Sequence, residues 1–515
     1  MPYRLLLFWV LMMFVTRAWG NVHSARIDIV SEHAELLDET VTPLLGTTYR
    51  MNWQQDIPHS QTLVAEVPAY SFADCEYVLR FTPQLDDTVR IELKGPYQSN
   101  PNEAEMEIEF RSLTIAGAEW IVPPKLPARV THDQPYRIHV RVHRGQRVAI
   151  SYSVRWVDHD IQENRVQRTN DSPAHRLAKQ FQRGVNLANY LEVPPGEDWG
   201  GLLYTEDDYR KIAAEGFDHV RLPVAWHHHC GQSPNFLIHE WFWERVEQQI
   251  DWAEKYGLAI IVNTHHFDAF MEDPQGQRQK FVALWKQIGE RLAKRPDSVA
   301  FEILNEPHGA ATTELMSEIY SELIPILRRS NPERAIFVGP STWNLSLALE
   351  QLRLPDDDRL IVTVHAYDPM PFTHQNAWWS DETKAIHDVT FPGPPPKPVA
   401  IPLQLDETNR SWLENYNRLP AEENPCSTSR LEFEFSLARA WGESFGRPIH
   451  LGEFGVYEKV DSDSRARYLT AVRTLAEQNQ MGWCLWDWRA SFVYWDRANQ
   501  QAKPGLHDAL FKSDR

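Results

Sequence analysis

Two glutamates set the chemical question. Glu306 stands in FEILNEPHG (301–309), where an apolar, β-branched approach stops at Asn305-Glu306-Pro307, and Glu453 stands in HLGEFGVY (450–457), where a second apolar run stops at Gly452. A carboxylate at a strand end usually does no more than solvate the turn. Two of them facing one pocket can divide the work of catalysis: one holds a proton to give, the other attacks as an anion. Whether they meet depends on the elements that carry them.

From about residue 181 short apolar runs alternate with longer amphipathic stretches, the pattern of βα units in a parallel sheet. Strands are predicted at GVNLA (184–188), HVRLPV (219–224), LAIIVN (258–263), VAFEIL (299–304), AIFVG (335–339), LIVTV (360–364), PIHLG (448–452) and GWCLW (482–486). Helices between them include EDDYRKIAAEG, WFWERVEQQIDWAEKYG with Gly257 as its C-cap, and SRARYLTAVRTLAEQ. Eight strands imply a closed (β/α)8 barrel, whose working residues stand where strands end.

Those ends are rich in chemistry. Arg221 lies in the second strand with Trp226 just beyond it; His265 and His266 close the third, Asn305 and Glu306 the fourth. VHAYDP brings His365 and Tyr367 to the end of the sixth, on one face by alternation. Glu453 ends the seventh and Trp486 the eighth. Glu302 shares parity with Glu306 but sits inside its strand, so a buried, partnered structural carboxylate is expected there. Glu306 and Glu453 on opposed strands are what hydrolysis of a glycosidic bond requires.

Length and composition agree with a large barrel and a second domain, since 515 residues exceed one ordinary core. Residues 1–20 run from Arg4 through an apolar block at 5–15 to Ala18 and Gly20, which reads as a secretory signal. Residues 21–157 read as strands and turns without an amphipathic helix, hence an antiparallel β-sandwich. Within it Trp53, Tyr97, Trp120 and Trp156 are read as core aromatics, with a sugar-stacking strip as the alternative. Residues 158–180 are polar and aperiodic and read as a linker, leaving 181–515 for the barrel. The net charge of −19 argues against nucleic acid or an anionic membrane as partner. Cys75, Cys230, Cys426 and Cys484 leave three disulfide pairings open. His227, His228 and His229 are adjacent in a loop and cannot easily converge on one ion, so no metal and no cofactor are expected. The Pro-rich stretch 391–402, leaving the sixth strand, is placed to overhang the barrel mouth.

EILNEP, VHAYDPMPFTHQ and HLGEFGVY together resemble glycoside hydrolase family 5, the cellulase-type family, and especially its endo-β-1,4-glucanases. The resemblance covers about residues 181–511, including SFVYWD and GLHDAL, and leaves the sandwich outside it. It implies Glu306 as acid/base, Glu453 as nucleophile of a retaining mechanism, and Asn305 as the group bonding the sugar 2-hydroxyl. It implies Arg221 and Tyr367 as holders of the nucleophile, His265 and His365 as sugar-contacting or proton-network residues, and Trp486 as the sugar platform. Two departures stand out: Asn263 occupies a position that is often Asp in the family, and Asn376-Ala377 replaces the usual Gly-Ala, followed by Trp378 and Trp379.

On this reading Glu453, near a guanidinium and a phenol, should have a depressed pKa, and Glu306, about 5–5.5 Å from a negative partner, should keep its proton near neutrality. The expected protein is a secreted or periplasmic monomer that hydrolyses a β-1,4-glucan, with no membrane association once the signal is removed. Mannan, mixed-linkage glucan or an exopolysaccharide are alternative substrates, and a non-catalytic sugar-binding protein is the alternative of another class.

Overall fold

The computed structural model describes residues 24–31, 36–43, 52–57, 60–95, 107–157, 171–200 and 202–512. The segment read as a signal lies outside them, as does Tyr97. The chain divides into two compact units between residues 166 and 167.

The first unit is built from two antiparallel sheets. Six strands run in the order Asn52–Ile57, Ser60–Pro68, Ser24–Ser31, Asp87–Lys94, Tyr136–Val142, Ala118–Trp120; five run Leu36–Pro43, Cys75–Pro83, Val148–Val157, Glu107–Ala116, Ala128–Val130. Alternation buries one face of each: Ile27, Ile29, Val89, Ile91 and Val140 from one sheet, Tyr77, Leu79, Phe81, Phe110 and Ile150 from the other. This is the sandwich expected from the sequence. The strands flanking Gly145 do not close on each other as a hairpin; each joins a different sheet. Trp120 and Trp156 are both half-buried and lie in different sheets, so these two form no common strip.

In the second unit eight parallel strands close a barrel in sequence order: β1 (Arg183–Asn186), β2 (His219–Leu222), β3 (Ala259–Asn263), β4 (Val299–Glu302), β5 (Ile336–Val338), β6 (Leu360–His365), β7 (Ile449–Phe454) and β8 (Gly482–Leu485). Each coincides with a predicted strand. The helix Glu206–Glu215 starts at a Thr205/Asp208 capping box and stops at Gly216 in the left-handed region, as the sequence signals require. Gly257, with φ 71°, follows the helix Glu240–Lys255 in the same way.

The linker prediction needs correction at its C-terminal end. Pro173–Ala178 is a helix, with Ser172 accepting from the His175 backbone N–H and Pro173 in its first turn. Its Leu177 and Ala178 pack onto Phe181, Ala259, Ile261, Ala300, Ala335, Phe337 and Ile361, which close the N-terminal end of the barrel. The Pro-rich stretch after β6 is tied outward: Phe391 packs on Phe372 and Tyr468, and its carbonyl accepts from Arg467 Nε of the helix Ser462–Gln478 at 2.6 Å.

Candidate active site

At the C-terminal end of the barrel one guanidinium joins four strands. Arg221, on β2 and fully buried, donates from Nε and Nη2 to the two oxygens of Glu302 on β4, both at 2.7 Å. Nη1 reaches Glu453 Oε1 on β7 at 2.7 Å and Asn186 Oδ1 on β1 at 2.8 Å; Nη2 also reaches Asn305 Oδ1 at 2.6 Å. These five bonds match the five N–H donors of a guanidinium. Glu302 is therefore the buried, partnered carboxylate expected from its parity. Asn186 was not singled out in the sequence, although a buried amide within GVNLA was a legible sign: it also donates to Gly452 O at 3.1 Å and Leu485 O at 3.2 Å.

The second oxygen of Glu453 accepts from Tyr367 Oη at 2.8 Å. Glu306 has a positive φ of 47°, a conformation costly for a residue with a side chain, and the backbone just before it is fixed by Asn305 N–H on Thr264 O at 2.8 Å. His365 Nδ1 lies 2.9 Å from Glu306 Oε1 and 3.8 Å from Glu453 Oε2. One oxygen of each glutamate and one ring nitrogen of His365 all lie within 4.8 Å of one another. Arg221 already pairs with Glu453, and a divalent ion here would face that guanidinium, so the trio suits proton transfer better than ligation.

Burial sets the acidities. It raises Glu306 to about 7, with His308, Arg221 and the Asn305 amide pulling down and Glu302 pushing up. Burial, not a negative neighbour, is thus the main reason Glu306 holds its proton. Burial raises Glu453 as well, against the pull of His365, Arg221 and the Tyr367 hydroxyl. This corrects the expectation of a depressed Glu453: Arg221 divides its charge with Glu302, and the Glu453 carboxyl is itself almost wholly buried. The glutamates titrate as a pair, and since Glu453 has the ion pair, the shared proton resides on Glu306. His365, lowered to about 4 mainly by burial, is neutral.

His265 and Trp486 form the next wall, their rings parallel to within 9° at 5.7 Å. Asn263 Oδ1 accepts the Val224 N–H, so its amide nitrogen faces His265 Nδ1 at 3.1 Å. His265 consequently carries its proton on Nε2. Half-buried His266 meets the edge of His265 at 4.0 Å. Trp486, Tyr367 and Trp379 pack around Ala377, Tyr457 and Phe492, so the substituted loop after β6 reaches the site through Trp379.

Trp226 does not belong to the site. It is fully buried, donates from Nε1 to Asn263 O at 2.8 Å, and packs against Phe242 and Trp243 of the helix Glu240–Lys255. The chain turns outward after β2 and carries this ring into the layer between strand and helix. His227 stacks on Phe267 at 4.2 Å and His229 lies against Phe242 at 4.1 Å, so the histidine run diverges. Cys230, Cys426 and Cys484 carry free thiols.

The cellulase model, glycosyl hydrolase family 5, matches residues 178–491. Endoglucanase H of Acetivibrio thermocellus is 29% identical over 315 residues, 60% of this chain, which spans 30% of that relative's length. The crystal structure of endoglucanase Cel5A from Thermotoga maritima superposes with a TM-score of 0.57 at 31% identity, covering 66% of this chain and 99% of that one. The clostridial cellulose synthase subunit Z from Clostridioides difficile gives 0.56 at 27%, covering 64% and 100%. With its barrel, its paired glutamates and this match over more than half its length, the chain belongs to the cellulase family, glycosyl hydrolase family 5.

Proposed function

We propose that the protein is an exported, monomeric endo-β-glycosidase that cleaves a β-1,4-glucan with retention of anomeric configuration. The observation that carries the reading is the approach of Glu306 and Glu453 to within 4.8 Å through one oxygen each. Two carboxyls about 5–5.5 Å apart suit direct attack on the anomeric carbon, whereas inversion needs about 6.5–9.5 Å to admit a water. Glu453, oriented by Arg221 and Tyr367, attacks the anomeric carbon while Glu306 protonates the departing oxygen. Glu306, now a carboxylate, then takes a proton from the water that releases the glycosyl-enzyme. Asn305, its Oδ1 held by Arg221, presents its amide to the sugar beside Glu306, and Trp486 with His265 offers an apolar face to the ring.

The endoglucanase names of the relatives support a β-1,4-glucan. A second reading, an exopolysaccharide, draws support from Trp378, 65% exposed beside Trp379 in the substituted loop, and from the likeness to a cellulose synthase subunit. The apolar block at residues 5–15 supports export. Wild type is expected to release the retained anomer from an oligosaccharide, read by proton NMR, and Glu453→Ala to lose turnover of an aryl β-glycoside while still being retarded by polysaccharide in a gel. An inverted product, or unchanged turnover in the variant, overturns the mechanism; a wild type that binds but never cleaves makes the protein a carbohydrate-binding one.

A further inference from the structure

Beneath the catalytic pair lie buried polar groups that the mechanism leaves unused. Thr363 and His365 are two residues apart on β6 and so point the same way, into the barrel. Thr363 is fully buried and His365 nearly so. Among the described residues, neither Thr363 Oγ1 nor His365 Nε2 has a hydrogen-bond partner. Both crowd one spot beside Gly452: a methyl carbon on that glycine would fall 2.5 Å from Thr363 Oγ1 and 2.8 Å from His365 Nε2. Both polar atoms thus lie close enough to one point, and so to each other, for a single water to bridge them. A buried donor or acceptor left unsatisfied destabilises the fold, so atoms so placed are normally joined.

Resting on the functional reading above, we infer that Thr363 is a positioning residue for the reaction: its hydroxyl, through one bridging water, donates to His365 Nε2 and thereby fixes the proton of the ring on Nδ1. A neutral imidazole has one donor and one acceptor, and the bond made by one nitrogen decides the role of the other. With Nε2 accepting, Nδ1–H donates to Glu306 Oε1 across 2.9 Å. The acidic proton of Glu306 is then confined to its other oxygen, free to be given to the leaving group. With the opposite tautomer, Glu306 would direct that proton to His365 Nδ1 and away from the sugar. No proton crosses the imidazole in this scheme; the ring keeps one tautomer while Glu306 loses and regains its proton.

Charged and titratable groups face His365 from every side: Glu306 and Glu302 from β4 and its end, Glu453 and His450 from β7, Arg221 from β2 and His265 from the end of β3. All six remain in place on substitution at Thr363, and Thr363→Val keeps shape while removing the hydroxyl. Thr363→Val in the full chain is expected to lower kcat about ten- to a hundredfold on a β-glucan oligosaccharide. Loss of Nδ1–H donation also destabilises the Glu306 carboxylate, so the alkaline limb of the kcat/KM profile should move to higher pH. Thr363→Ser should restore both the rate and the profile. If wild type retains anomeric configuration and Glu453→Ala is inactive, yet Thr363→Val keeps wild-type kcat and profile, this inference is overturned and the functional reading stands. A rate loss in Thr363→Val that comes with an unmoved profile, or that serine fails to restore, makes Thr363 a packing residue and also overturns it. A wild type without turnover overturns both.

Discussion

Replacing Arg221 by lysine keeps the charge and removes the geometry. Arginine fills five bonds here, two to Glu302 and one each to Glu453, Asn186 and Asn305. A lysine ammonium has three donors on one nitrogen, so at least two of these buried acceptors go unmade. At about 1–3 kcal/mol each, the loss is about 2–6 kcal/mol. For a unit the size of this barrel about 2 °C of melting temperature accompanies each kcal/mol, so the transition should fall by about 4–12 °C. Activity should suffer separately, because on the proposed mechanism misplacing Glu453 by about 1 Å costs on the order of a hundredfold in rate. Calorimetry of the full chain resolves the barrel transition, and an aryl β-glycoside reads kcat. A lysine variant that melts with wild type and keeps its kcat would refute the idea that this one side chain both ties the staves together and aims Glu453.

Acidity makes the second test. Burial holds Glu306, Glu192 and Glu434 at about 7, so each keeps in the native state a proton that the unfolded chain sheds near pH 4.3. Their contribution is complete below the unfolded value and is lost as pH rises through 7. His266, His365 and His374, held at about 4, act oppositely: their contribution is present above about 6.5 and is lost as pH falls toward 4. Because the histidines still add stability as pH rises past about 6.5, the glutamate share is read by difference: Glu192→Gln, which cannot ionise, should be spared about 1 kcal/mol of what wild type loses between about pH 6.5 and 8, read as diverging melting temperatures; melting temperatures that stay parallel over that interval contradict the assignment. Trp226→Phe should cost about 1–3 kcal/mol of stability through lost volume and the lost bond to Asn263, with KM unchanged; a raised KM at unchanged melting temperature would return Trp226 to the site.

All eight barrel strands, with Arg221, His365 and Glu453 inside them, were legible from strand periodicity; Asn305, Glu306 and Tyr367 lie past the ends of β4 and β6 and were legible from the motifs that carry them, NEP and HAYDP. Three things were not legible, each for a local reason. Trp226 lies four residues past β2, where the chain leaves strand geometry and parity no longer tells inside from outside. The acidity of Glu453 depends on how a guanidinium is divided between two carboxylates and on how completely water is excluded, and no pattern along one chain reports either. The helix at 173–178 was missed because six residues are too few to show amphipathic periodicity, although Ser172-Pro173 is a sound start signal.

That short helix also bears on how the protein can be taken apart. A catalytic fragment cut at 181, where the rhythm of the barrel becomes audible in the sequence, would discard Leu177 and Ala178 and leave the underside of the barrel wet around Phe337 and Ile361. The functional edge of the enzyme unit thus runs through residues that look dispensable, and surgery guided by polarity alone would remove the stopper from the vessel.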